Sequence, residues 1–554
     1  MTDDGAWADS TAEDVLAVGP WRVTLRGAEL ADVSHDGVPV LRGIRFVTRD
    51  QDWRTADDTV TRRTTDAAAE AEAEAEADAT DEHGHARARA RARIEVTSAF
   101  DGAEVLRTTL DLTIDGDTLH VDATATTTAP FRRNRIGLVV LHPPTLAGTP
   151  FTVRHPAVPA TAHTFPLWIA PHQPATDVAG YAWTTGGTDC TLDLTGDVFE
   201  MEDQRNWTDA SFKTYSTPLA EPFPVALDAG AVVHQALTLR AVRRPGGAPS
   251  PAPDLAALDG PAPTSVVTPP PTLQLLAASA PAAARPDDAA LPGGVPILVE
   301  PVLGDPDVAA VLASARRDAR AVLASARRDA RGAPLDVRFV TDDPALLRAA
   351  VDEVLASGPV VRIGAFDPSS HVTTTALQRA LREAAAAHEG LDVVAGTRAH
   401  FTELNRTIDL FGDWDGPLTF SVTPQMHDRS RAQVTESIRM QRWVAMSASR
   451  LAAGRPLHVG PVTLRPRFNA VATSPRRAVT DASVEAGYGP QSVPDATDPQ
   501  QHSAAAAAWF AAAVQALTVP GVASITLAEV WGPRGTPRRK GVGGAFRSRV
   551  SISA

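Results

Sequence analysis

The chain has 554 residues, 44% of them hydrophobic, with a formal net charge of −14 and a single cysteine, Cys190. This length predicts two to four domains with sizeable cores. The acidic balance argues against a general nucleic-acid binder, and one cysteine excludes an internal disulfide framework and fits a reducing compartment. No run of about 18 apolar residues is present, which excludes a membrane-spanning helix. The acidic start, Met1-Thr-Asp-Asp, has no apolar run behind it, so a soluble, cytoplasmic protein is expected.

Residues 1–243 are dominated by short runs of period two. Trp21-Arg-Val-Thr-Leu-Arg, Thr109-Leu-Asp-Leu-Thr-Ile and Leu119-His-Val-Asp-Ala-Thr-Ala-Thr are separated by turn signals such as Asp36-Gly37 and Asp115-Gly116. This pattern predicts an antiparallel β-sandwich. A low-complexity insert interrupts it at 65–93, where Ala alternates first with Glu or Asp and then with Arg. In an extended segment, residues i and i+2 share a face, so the two tracts could pair as an acid–base hairpin. The plainer expectation is a surface loop with solvated charges and no catalytic role.

Near the end of this region, Phe199–Tyr215 concentrates functional side chains in a chain that is only 5% aromatic. It offers Glu200, Glu202, Asp203 and Asp209, the cations Arg205 and Lys213, and the amides Gln204 and Asn206. Phe199, Trp207, Phe212 and Tyr215 are interleaved with them. A polar network pinned by apolar anchors is what a binding surface needs. Glu202, Asp203, Arg205 and Lys213 are therefore a possible second site.

A Pro/Ala-rich stretch at 244–271 reads as a linker. From 272 to 534 apolar strands alternate with amphipathic helices. Strands are expected at Leu273–Ala277, Ile297–Leu303, Leu335–Val340, Val360–Phe366, Leu391–Ala395, Leu418–Val422, Leu457–Val462 and Ala523–Ala528. Helices are expected at 343–356, 373–388, 431–453 and 502–517. This alternation predicts a (β/α)8 barrel. Val311–Ala321 is repeated almost unchanged at Val322–Gly332. Eleven residues are close to three helical turns, so the duplication lengthens an outer helix by about 16 Å without rotating its buried face. The Gly/Arg-rich stretch 535–554 is expected to be a disordered tail rather than a closing helix.

In such a barrel the reactive groups gather beyond the C-terminal ends of the strands. The fifth strand leads to His400, Glu403, Asn405 and Arg406, and the sixth to Gln425, His427 and Asp428. The seventh leads to Arg465, Arg467 and Asn469, and the eighth to Glu529 and Trp531. Glu403, Glu529 and His427 are the candidates for acid–base work. Asn405, Gln425, Arg465, Asn469 and Trp531 are the candidates for holding substrate. No Gly-x-Ser-x-Gly elbow, P-loop or dinucleotide fingerprint is present. His83 with His85, and His163 with His172, lack partners at zinc-ligand spacing, so neither a metal nor another cofactor is expected.

Several separated motifs resemble the D-apionate lactonase family. They are Phe131-Arg-Arg-Asn-Arg-Ile-Gly-Leu-Val-Val-Leu-His-Pro, Pro171-His-Gln-Pro, the segment Phe199–Tyr215, Phe401-Thr-Glu-Leu-Asn-Arg, Pro461-Val-Thr-Leu-Arg-Pro-Arg-Phe-Asn and Glu529-x-x-Gly. The resemblance implies a mutarotase-like sandwich, a TIM barrel and a further small β-domain, so that this protein is expected to be C-terminally truncated. It also implies hydrolysis of a branched-sugar lactone, D-apionolactone, to the open acid in D-apiose catabolism. The rival reading is a TIM-barrel glycoside hydrolase using Glu403 and Glu529. The Asn-Glu dipeptide common at the acid position of such enzymes is absent, since Thr402 precedes Glu403. A third reading is a non-catalytic carbohydrate-binding protein. In each case the expected partner is a small sugar-like molecule, with no nucleic acid and no membrane.

Overall fold

The computed structural model describes residues 7, 13–67, 89–245, 269–278, 294–303, 319–468, 470 and 497–536. Outside them lie the acidic tract of the insert, most of the linker, the first copy of the repeat up to residue 318, Asn469, and the residues beyond 536 with their expected tail.

Two nine-stranded antiparallel sheets pack face to face in the N-terminal half. The alternation seen in the sequence sorts their side chains. In Thr118–Thr127 every second residue is buried, and Trp21, Val23 and Leu25 sit in the core beside Leu110, Leu112 and Ile114. The Ala/Arg tract is not all loop. From Arg89 onward it forms the strand Arg89–Phe100, whose Ala90 and Ala92 are buried. That strand pairs with Asp57–Ala67 and with Ala103–Asp115. Alanine on one face and arginine on the other suits a half-buried strand.

The second half is a closed barrel of eight parallel strands: Thr272–Leu276, Ile297–Val299, Leu335–Val340, Val360–Phe366, Asp392–His400, Leu418–Val422, Leu457–Val462 and Val522–Glu529. Helices on the outside cover strands buried on both faces, which is why those strands read as apolar runs. Arg431–Ala452 and Ala504–Leu517 are the longest of these helices among the described residues. The repeated segment enters the described structure as the helix Ala319–Ala330.

The sandwich sits on the C-terminal rim of the barrel, and the two cores merge into one apolar cluster. Thr208 Oγ1 donates to the Thr423 carbonyl at 2.7 Å, and Trp443 Nε1 to the Leu167 carbonyl at 2.9 Å. Arg45 reaches Asp428 at 2.5 Å. No helix among the described residues is long and apolar enough to cross a membrane.

Candidate active site at the domain interface

Between the sheet and the rim lies a cleft of about 1060 Å³ lined by both domains. Its sandwich wall is built by strand alternation. In the hairpin of Phe199–Asp203 and Phe212–Tyr215, Glu202 is paired in register with Lys213 and Glu200 with Tyr215. Glu202, Lys213 and Tyr215 line the cleft. Lys213 Nζ is 2.5 Å from Glu202 and 4.9 Å from the centre of the Tyr215 ring.

Asp203 falls on the opposite face with Phe199 and Met201, and it does not belong to a second sugar site. It and Arg205 form a fully buried ion pair at 2.6 Å. Arg205 also donates to the Pro166 and Leu167 carbonyls and lies between the rings of Phe212 and Trp443, 4.5 and 4.3 Å from their centres. The pair fastens the loop before Ala170 and the barrel helix Arg431–Ala452 to the sheet. Of the four residues expected there, Glu202 and Lys213 face the cleft, while Asp203 and Arg205 are structural.

The turn joining the two strands carries further chemistry. Thr208 adopts a left-handed conformation (φ 66°) after the 3-10 turn Gln204–Trp207, and this presents Asp209 to the barrel. Asp209 Oδ2 is 2.8 Å from His427 Nδ1. Gln204 Nε2 is 3.2 Å from the same nitrogen, and Ser211 Oγ donates to Gln204 Oε1 at 2.8 Å. That last bond orients the amide with its NH2 toward Nδ1, which favours an accepting Nδ1 and the ring proton on Nε2. Burial pushes the Asp209 carboxyl well above its usual range and holds His427 well below its own, with Lys213 opposing the first shift and reinforcing the second. Burial thus favours the carboxylic acid of Asp209 and the neutral imidazole of His427. Trp207 packs edge-on against His427 at 5.4 Å.

On the barrel side, the fifth strand runs five residues beyond its expected end, to His400. Glu403 sits in the first turn of the short helix that follows, Phe401–Arg406. It lines the cleft, and its Oε2 is buried without a hydrogen-bond partner among the described residues. Burial raises its carboxyl to about 7, against smaller opposing effects of backbone hydrogen bonds and Arg406. A carboxyl poised near neutrality in a cleft is a candidate acid or base. His400 also lines the cleft and is held down to about 3 by burial.

The other expected residues separate. Gln425 borders the cleft and donates to Asp498 at 2.7 Å. Arg465 is paired with the same Asp498 at 3.1 Å. Asn405 is buried at the seam, where it donates to the Ile169 carbonyl and to Asn206 Oδ1. Asn469 lies outside the described residues. Glu529 is not among the residues that line the cleft. It is buried against Arg534 at 3.2 Å, because the backbone turns back immediately after the eighth strand and Gly535 bridges to Glu529. Trp531 is no sugar platform, since its indole is buried and donates to Asp329 of an outer helix at 2.8 Å. The aromatic residues that do border the cleft include Trp53, Phe100, Trp207, Tyr215, Phe223 and Phe468.

Sequence reasoning missed the pairing of Asp209 with His427. Both residues stood in noted segments, but 218 residues separate them and no local pattern joins them. It also missed Glu300, which is held down to about 2 between Arg398 and Arg467 at the barrel mouth, against its own burial.

Residues 1–244 match the family model described as D-apionate lactonase, N-terminal domain. Residues 307–548 match D-apionate lactonase, TIM barrel domain. A D-apionate lactonase of Brucella anthropi is 26% identical over 544 residues, covering 95% of this chain and 84% of the relative. Among solved structures, a putative aldose 1-epimerase from Escherichia coli K12 is 12% identical, covers 42% of this chain and 100% of its own, and has a TM-score of 0.25. An α-N-acetylgalactosaminidase from Bifidobacterium bifidum is 10% identical, covers 81% of this chain and 77% of its own, also at a TM-score of 0.25. Structural likenesses at this level speak to neither activity nor site.

Proposed function

The chain belongs to the D-apionate lactonase family, and on that footing we propose that the interdomain cleft hydrolyses D-apionolactone to D-apionate, a step of D-apiose catabolism, with Glu403 as general base. The observation that carries the assignment of the base is Glu403 itself, a cleft carboxyl with a buried, unpartnered oxygen whose ionisation burial moves to about 7.

In this reading the Glu403 carboxylate takes a proton from water as the water oxygen bonds to the lactone carbonyl carbon. The resulting oxyanion forms in a cleft lined by Lys213, and a preorganised positive group stabilises such a charge. When the bond to the ring oxygen breaks, that oxygen takes the Nε2 proton of His427, and Nδ1 takes the proton of Asp209. The products are a hydroxyl group and a carboxylic acid, which ionises. Return of the Nδ1 proton to Asp209 and passage of the Glu403 proton to Nε2 through solvent reset the site. No step draws on a bound metal or cofactor.

A glycosidase would need Glu403 and Glu529 flanking one bond. Glu529 is buried against Arg534 and is not among the residues that line the cleft, so the lactone reading is favoured. The test is to incubate the purified protein with D-apionolactone and with aryl glycosides side by side. Acid release from the lactone alone is the expected result, and aryl-glycoside turnover with an inert lactone would overturn the reading.

A further inference from the structure

The sandwich wall of the cleft holds two arginines that the scheme above leaves unused. Arg49 and Arg135 are directly opposed across the antiparallel pair of strands Val38–Asp50 and Phe131–His142. Both line the cleft. Like charges at directly opposed positions repel one another, so the arrangement carries a cost unless an anion joins it.

No such anion is supplied by the described residues. Arg49 donates to the Trp53 carbonyl at 2.9 Å. Arg135 donates to the carbonyls of Asn134 and Pro218 at 2.6 and 3.0 Å, and its Nε is buried without a partner. Neighbouring cleft arginines are each satisfied by carboxylates: Arg42 by Glu436, Arg45 by Glu29 and Asp428, and Arg54 by Asp50 and Asp101. Trp53 and Phe223 pack on the Arg135 guanidinium, with ring centres 5.3 and 5.0 Å away, which holds its donors in place. Burial lowers both guanidinium groups from their usual range, although Glu202, Asp209 and Asp50 act on Arg49, and Tyr215 and Glu200 on Arg135, from beyond ion-pair range.

We propose that Arg49 and Arg135 form a carboxylate-binding subsite, and that its ligand is the carboxylate of an open-chain sugar acid. The identity of that acid rests on the lactonase reading. Ring opening converts a neutral lactone into an anion, so two arginines without a counter-ion meet their partner charge only after hydrolysis. The guanidinium fork matches the two oxygens of a carboxylate, and the rings of Trp53 and Phe223 flank the contact. The acid is then held more tightly than an uncharged sugar of the same size, and the preference weakens with salt.

Equilibrium titration calorimetry on the full-length protein tests this, with D-apionate, the neutral alditol of the same carbon skeleton, and inorganic phosphate as a bare-anion probe. The acid should bind at least about tenfold more tightly than the alditol. Arg49→Gln should remove that preference while changing alditol binding by less than about twofold, and Arg49→Lys should restore only part of it. Should Arg49→Gln fail to fold, the parent is titrated at about 0.05 M and about 0.5 M salt, where the preference should shrink at the higher concentration. Equal binding of acid and alditol, or equal loss of both in Arg49→Gln, would overturn the subsite. Phosphate binding as tight as the acid's would overturn its assignment to a sugar acid. Because the readout is binding, an inert lactone would sink the lactonase reading and leave this result standing, whereas intact turnover without acid preference would sink only the subsite.

Discussion

His427 and Asp209 meet across the domain boundary, Nδ1 to Oδ2 at 2.8 Å. One comes from the loop after the sixth barrel strand, the other from the turn that follows Thr208 in the sandwich. Neither domain alone contains the pair, and burial at the seam favours the uncharged form of both residues. The interface is thereby part of the chemistry, not only a support for it.

Asp209→Asn keeps the size of the side chain but removes the proton that His427 is proposed to receive. It should lower kcat/KM for lactone hydrolysis about 100-fold. Initial rates from continuous titration of released acid give the comparison, and unchanged kinetics would remove the pair from the mechanism.

As a base, Glu403 must be ionised, so kcat/KM should rise with pH and level off above about 7. Stability should run the other way. The folded-state carboxyl is raised above its unfolded value of about 4.3, so the contribution is present below that value and is lost as pH rises through about 7. Glu403→Gln should therefore gain on the order of 2 kcal/mol relative to the parent between about pH 5 and pH 8. Urea denaturation at the two pH values measures it, and a gain at the lower pH would contradict the shift.

Arg205→Met leaves the Asp203 carboxylate buried and unpaired. This should cost about 3–5 kcal/mol of stability. The half-exposed pair Arg348–Glu383, 2.9 Å apart, should matter far less, with Arg348→Ala costing under about 1 kcal/mol. Denaturant midpoints of the two variants decide whether burial sets the difference.

Four barrel strands, Leu335–Val340, Val360–Phe366, Leu418–Val422 and Leu457–Val462, have the bounds that their apolar runs suggested. Strands buried on both faces announce themselves in this way. The fifth was read short because its last residues toward the mouth include Thr397, Arg398 and His400, which are polar but buried. Glu403 and His427 were legible as groups beyond strand ends. Glu529 and Trp531 occupied equivalent sequence positions, but the backbone folds back and buries them, which apolar periodicity does not encode. The division of Glu202 from Asp203 was available in the strand's period of two. The opposition of Arg49 and Arg135 was not, because local alternation gives a residue's face and not its cross-strand partner.

The central claim is that Glu403, and not Glu529, activates water. The most direct measurement is acid release from D-apionolactone by Glu403→Gln and Glu529→Gln, each shown to be folded by near-ultraviolet circular dichroism. The account predicts that Glu403→Gln loses about 1,000-fold or more in kcat, whereas Glu529→Gln stays within about tenfold of the parent. Turnover by Glu403→Gln within about tenfold of the parent, or an equal loss in Glu529→Gln, would contradict it.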